Sequence, residues 1–185
     1  MLPWATPYLV TCLVWYSLFD PRVGVINFIL HKLNIIDKSV AWLFSSSTSL
    51  IVVIIVTIWK LFPFATIIIL AGLQTIPKTL YEAAEVDGAN YFKKLIYIKI
   101  PCLSSVILVT LTLLTIWIFK LFTIIYVLTS GGPARATETL VIKTYIDAFK
   151  YYKMGSASAL GIITLAIISL LVVLYYFIIS KVEKE

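Results

Sequence analysis

The residues predict an all-α protein, a polytopic bundle of transmembrane helices, and three observations carry that prediction. Hydrophobic residues make up 61% of the 185-residue chain. Its mean hydropathy of +1.02 lies far outside the range of a water-soluble domain. Three nearly uninterrupted apolar runs, residues 50–73, 103–130 and 157–180, account for it, and one charged segment, residues 74–102, separates the first two.

Along the chain, residues 2–19 come first. This run holds no charge but includes Pro3 and Pro7. It reads as a span and not as a secretory leader. A leader has a basic start and a small-residue cleavage site, whereas here Asp20-Pro21-Arg22 follows directly. Residues 50–73 would extend about 36 Å as a helix, enough to cross a roughly 30 Å hydrocarbon core with some tilt. The two later runs are as long, so the expected count is four spans.

Fifteen Lys and Arg against nine Asp and Glu do not point to nucleic acid, because the basic residues are spread over all the connections with no basic block. Nor do they orient the chain. Lys78, Lys93, Lys94, Lys99, Lys181 and Lys184 would share one side. Arg22, Lys32, Lys38, Arg135, Lys143, Lys150 and Lys153 would share the other. Cys12 and Cys102 have no metal spacing and no thiol neighbour, and read as small apolar residues. His31 stands alone in a polar connection, without the carboxylate or thiol cluster that a ligand or catalytic role needs.

The segment from Gln74 reads as two helices joined by a turn. Pro77 suits a first helical turn, where no backbone donor is required. Leu80, Ala83, Ala84 and Asp87 share one face. Gly88 is placed to take positive φ and stop the helix. Asn90 is an N-cap for a second helix, residues 91–99, which Pro101 is expected to end. Small residues at 83, 84, 88 and 89 allow another surface to approach the backbone, with Glu82, Glu85 and Asp87 around them.

The spacing of Glu82-Ala83-Ala84, Gly88 and the Ile98-to-Pro101 tail resembles the EAA loop of the membrane subunits of binding-protein-dependent ABC importers. Other landmarks run the length of the chain. They are Leu2-Pro3-Trp4-Ala5, Asp20-Pro21 with Gly24 and Asn27, Trp59-Lys60, Pro63-Phe64, Gly131-Gly132-Pro133, and Gly155 with Ala157 and Ala159. They look like the MalF/UgpA type of carbohydrate and glycerol-3-phosphate permease. Ile100 and Leu95 replace a usual Leu and Phe, keeping an apolar contact. Thr123 stands where an Asp often follows the Phe.

This resemblance implies a type I ABC importer permease fold for residues 1–185, a single permease domain lacking the family's first two spans. Spans are expected at about 2–19, 50–73, 103–130 and 157–180, and the coupling loop at 77–101. Glu82, Ala83, Ala84, Asp87, Gly88, Ala89, Ile98 and Pro101 would grip a cytoplasmic ATP-binding-cassette ATPase. Residues 20–48 and 131–156 would then face outward. An extracytoplasmic solute-binding protein would dock on these segments, and Thr137 can cap a short external helix in the second. A second permease subunit, as a heterodimer, and the lipid bilayer complete the partners, and the location is a prokaryotic cell membrane.

Lys60 and Lys120 fall at membrane depth, where a charge is expensive. No run holds an Asp or Glu to pair with them. Either lysine could line the solute path and favour an anionic solute. Snorkelling or pairing with a partner subunit is the structural alternative. The residues show no Gly-rich phosphate loop, nucleophile–base pair or metal spacing, so no chemistry, cofactor or metal is expected of the chain itself. The expected function is that of a solute-conducting importer subunit. A non-transporting truncated fragment that acts only through interactions is the alternative.

Overall fold

Apolar runs of membrane length become long helices because, without water, the backbone must satisfy its own donors and acceptors. The computed structural model describes residues 1–182, and Lys184 lies outside the described residues. Among these residues every regular element is a helix, with no strand. Three helical stretches are long and apolar enough to cross a membrane, Ser49–Gln74, Ser104–Thr129 and Met154–Ile178.

In order, the elements are α1 (Leu2–Ala5), α2 (Tyr8–Leu18), α3 (Val25–Lys32), α4 (Ser49–Gln74), α5 (Lys78–Val86), α6 (Tyr91–Lys94), α7 (Ile100–Cys102), α8 (Ser104–Phe119), α9 (Thr123–Thr129), α10 (Leu140–Tyr145) and α11 (Met154–Val182). Wider π turns occupy Leu95–Lys99 and Ile146–Lys150.

Three expectations are corrected here. Residues 2–19 do not form one span-length helix. Pro7 has no N–H and pushes the residue before it out of the helical region, so Thr6 is extended at φ −68°, ψ 137° and the run divides into α1 and α2. Residues 104–129 make one membrane-length stretch with a short non-helical step at 120–122 between α8 and α9, where Leu121 is buried in the core. Pro101 does not end its helix. The π turn before it lets Ile100 donate five residues back to Leu95, and the widened turn absorbs the donor that Pro101 lacks. Finally, Thr139 holds the N-cap position of α10, while Thr137 is buried and its hydroxyl meets the Gly132 carbonyl and the Thr129 hydroxyl.

The chain divides into two units, each discontinuous in sequence. The first comprises Met1–Pro63 and Phe119–Leu165. Its core joins Cys12, Phe19, Val52, Val56, Ile124 and Ile142, with α2 packed on α9. An aromatic stack, Phe122–Tyr126–Tyr145–Phe149 with centroids 4.8–5.1 Å apart, ties α9 to α10 and the π turn after it. The second unit comprises Phe64–Ile118 and the chain from Ala166 onward. In it Gly72 lies against Leu103 and Val106, and Thr115 donates to the Tyr175 hydroxyl at 3.2 Å.

The connection from α2 to α4 is organised by two side chains. Asp20 Oδ1 accepts from the Arg22 and Val23 amides at 2.8 and 3.0 Å. Buried Asn27 donates to the Val40 carbonyl at 3.0 Å and accepts from Trp42 Nε1 at 2.8 Å, closing the connection on itself. Gly24 makes this turn possible, because a Cβ there would come within 2.6 Å of the Leu18 carbonyl oxygen. Gly24→Ala is expected to cost about 1–3 kcal/mol, the range for forcing extra atoms into a packed site. Thermal unfolding of the purified protein in detergent measures it, and an unchanged midpoint would contradict the close approach.

Asp147 joins the second π turn to the start of α11. It accepts from Lys143 Nζ at 2.6 Å and from the Ser156 hydroxyl at 2.8 Å. The Lys143 bond, then the Ser156 bond, holds its carboxyl below the usual carboxylate range. A depressed folded-state value stabilises above the unfolded pKa, and that contribution is lost as pH falls through the folded one. Amide protection over residues 143–157, taken relative to the intrinsic exchange rate at each pH, should therefore fall on acidification below about pH 4. Asp147→Asn should remove that pH dependence.

Candidate functional site

The segment between α4 and α8 is pinned at both ends. The Thr75 amide and hydroxyl both bond the Gly72 carbonyl, at 3.1 and 2.8 Å, which closes α4. A Cβ on Gly72 would sit 2.8 Å from Leu103 Cδ2, the end of a flexible side chain, so glycine eases the close approach of α4 to the start of α8. Ile76 and Leu103 are buried beside the two anchor points.

Between the anchors, α5 and α6 form a helical hairpin. Pro77 holds the N-cap position, and α5 runs from Lys78 to Val86. It ends in a complete Schellman motif. The Ala89 amide donates to the Ala84 carbonyl at 2.8 Å and the Gly88 amide to Glu85 at 3.0 Å. Gly88 sits at φ +70°, the left-handed region that this motif requires. Asn90 Oδ1 accepts from the Lys93 amide at 2.9 Å and starts α6.

Two contacts close the hairpin. Lys94 Nζ meets Glu85 Oε1 at 2.6 Å, and Lys99 Nζ lies over the rings of Tyr91, at 4.9 Å, and Tyr81, at 5.9 Å. The ion pair is partly exposed and contributes roughly 0–1 kcal/mol, so it selects a geometry more than it stabilises one. Neither contact was legible in the spacing, since each partner had to be brought across the turn.

Glu82, Ala83, Asp87 and Gly88 are exposed at the tip, while Ala84, Ala89, Ile98 and Pro101 are half-buried behind it. Nothing lies within 4 Å of where a Gly88 side chain would begin. Val86 is 89% exposed and Phe92 69% exposed. The hairpin therefore presents small residues and apolar side chains in an acidic frame. It can dock a surface closely, and it offers no reacting group. Among the described residues no cluster of His, Cys, Asp and Glu could hold a metal ion.

The two membrane-depth lysines part company. Lys60 is 2% exposed, and its ammonium donates to the carbonyls of Pro3, Trp4 and Thr6. Lys120 is exposed in the interruption between α8 and α9, and among the described residues it has no hydrogen bond or ion pair.

Long apolar helices joined by an exposed hairpin have the fold of ABC-importer permeases. A bacterial alginate ABC transporter, solved in complex with an alginate-pentasaccharide-bound periplasmic protein, shares that fold at a TM-score of 0.84 and 24% identity, over 99% of this chain and 63% of that one. The chain belongs to the binding-protein-dependent transport system inner membrane components, whose family profile matches residues 1–184. It is 39% identical to a probable ABC transporter permease protein of Brucella suis biovar 1, over 100% of this chain and 64% of that one. It is 37% identical to the trehalose/maltose transport system permease protein MalF of Thermococcus litoralis, over 95% of this chain and 58% of that one. The chain thus spans about 60% of the length of these curated relatives.

Proposed function

We propose that this chain forms the solute path of an ATP-driven, binding-protein-dependent importer for a sugar or related small solute, with glycerol 3-phosphate within that range. Residues 1–185 act as one permease domain in a prokaryotic cell membrane. The observation that carries the reading is the hairpin tip at Glu82–Ala89, held by a Schellman motif and open on its small-residue side.

In this reading a cytoplasmic ATPase seats against Glu82, Ala83, Ala84, Asp87, Gly88 and Ala89, with Ile98 and Pro101 supporting them. Closure of the ATPase pulls on the hairpin and rocks the spans between inward-open and outward-open states, because the two nucleotide states bind it differently. A second permease subunit completes the path as a heterodimer. A solute-binding protein docks on the opposite side, over residues 20–48 and 131–156. Hydrolysis belongs to the ATPase. Lys120 lies on the path and favours an anionic solute.

Purification of the tagged protein from its native membranes tests the reading. An ATPase, a second permease and a binding protein are expected to co-purify. Recovery of the chain without an ATPase would overturn it and favour a non-transporting interaction protein.

A further inference from the structure

The interruption at Thr6-Pro7 creates a problem that the fold has to solve. A helix that stops leaves its last carbonyls without intrahelical donors. Pro7 aggravates this, because the Pro3 carbonyl would take the amide four residues on, and Pro7 has none. In an apolar environment no water replaces those donors.

Lys60 supplies them. It lies near the middle of α4 and is almost wholly buried, as are Val56 and Leu61 on the same helix. Its Nζ donates to Pro3 O at 2.8 Å, to Trp4 O at 3.1 Å and to Thr6 O. An ammonium has three donors, and here three carbonyls take them. The Tyr8 ring lies 4.8 Å from the nitrogen on the far side of the break. The Thr6 hydroxyl gives the Pro3 carbonyl a second donor, at 2.9 Å.

We propose that Lys60 is a positioning residue, an internal cation that closes the broken helix and thereby sets where α2 begins, and that it does not touch solute. The cradle of Pro3, Trp4 and Thr6 carbonyls is a cation site that the protein fills with its own side chain. The position of α2 then follows. Trp15 meets Trp59 edge-on at 5.6 Å, one residue from Lys60, and Cys12 Sγ donates to the Thr123 carbonyl of α9 at 3.9 Å. Lys60 thus acts through α2 on the packing of α9.

The test uses the full-length protein in its complete transporter. Lys60→Met should reduce the monodisperse, assembled peak in detergent at least fivefold, and should lower uptake of neutral and anionic solutes in the same proportion. Lys60→Arg, which keeps the cation and several donors, should retain half or more of the peak. Pro7→Ala in the Lys60→Met background gives the Pro3 carbonyl a backbone donor again, and should recover at least half of what was lost. Normal assembly of Lys60→Met, a loss that Pro7→Ala does not relieve, or a defect confined to one solute class would each overturn the proposal.

Discussion

Replacing Gly88 with isoleucine is expected to lower uptake about tenfold or more while the amount of protein in the membrane stays the same. The backbone at Gly88 is at φ +70°, where an L-residue pays roughly 1–2 kcal/mol and a β-branched one more. No neighbouring atom stands in the way of a side chain, so the cost is one of backbone conformation and not of a clash. The chain escapes that cost by leaving the left-handed region, which breaks the bonds from Gly88 and Ala89 back to Glu85 and Ala84. The tip then opens, and the surface that the proposed coupling role presents to an ATPase changes shape. The long helices do not depend on this turn, so insertion persists. Asparagine tolerates the left-handed region better than alanine, and alanine better than isoleucine, so uptake should fall in that order. Uptake and coupled ATP hydrolysis in reconstituted vesicles provide the measurement. Normal coupling in Gly88→Ile would remove the hairpin from the mechanism.

Lys120→Met should reduce kcat/KM for an anionic sugar tenfold or more and change that for a neutral sugar less than about twofold. Lys120 lies nine residues before Thr129, the end of the membrane-length stretch Ser104–Thr129. At an effective dielectric near 20, a charge pair at 4 Å is worth roughly 4 kcal/mol, far above the 1.4 kcal/mol of a tenfold effect. The discrimination should therefore be large if the solute passes the ammonium. Competition between a sugar phosphate and its parent sugar in the same vesicles reads it directly. Equal losses for both would assign Lys120 to packing against a neighbouring subunit.

The hairpin was the most legible part of the chain. Each of its devices is local. A glycine takes positive φ, an asparagine caps the helix three residues on, and a proline starts it, all within a few bonds of one another. Helix breaks were less legible. Pro7 and Pro101 look alike in the sequence, yet Pro7 splits a run and Pro101 is carried through by the π turn before it. The difference lies in whether the preceding turn can widen, which depends on what packs around it.

The lysines show the same boundary. Composition and apolar run length determined that the protein is helical and lives in a membrane, because the cost of an unsatisfied backbone in hydrocarbon leaves few other solutions. Residue identity placed Lys60 and Lys120 at comparable depth with no carboxylate in any run. Their separate surroundings were decided only by tertiary structure. Pro3, Trp4 and Thr6 lie 54 to 57 positions from Lys60 in the chain, and the packing of α4 against the Thr6-Pro7 break brings them to one nitrogen. Among the described residues Lys120 meets no such partner. A charge's partners are set by distances in space, and those exist only once the helices have packed.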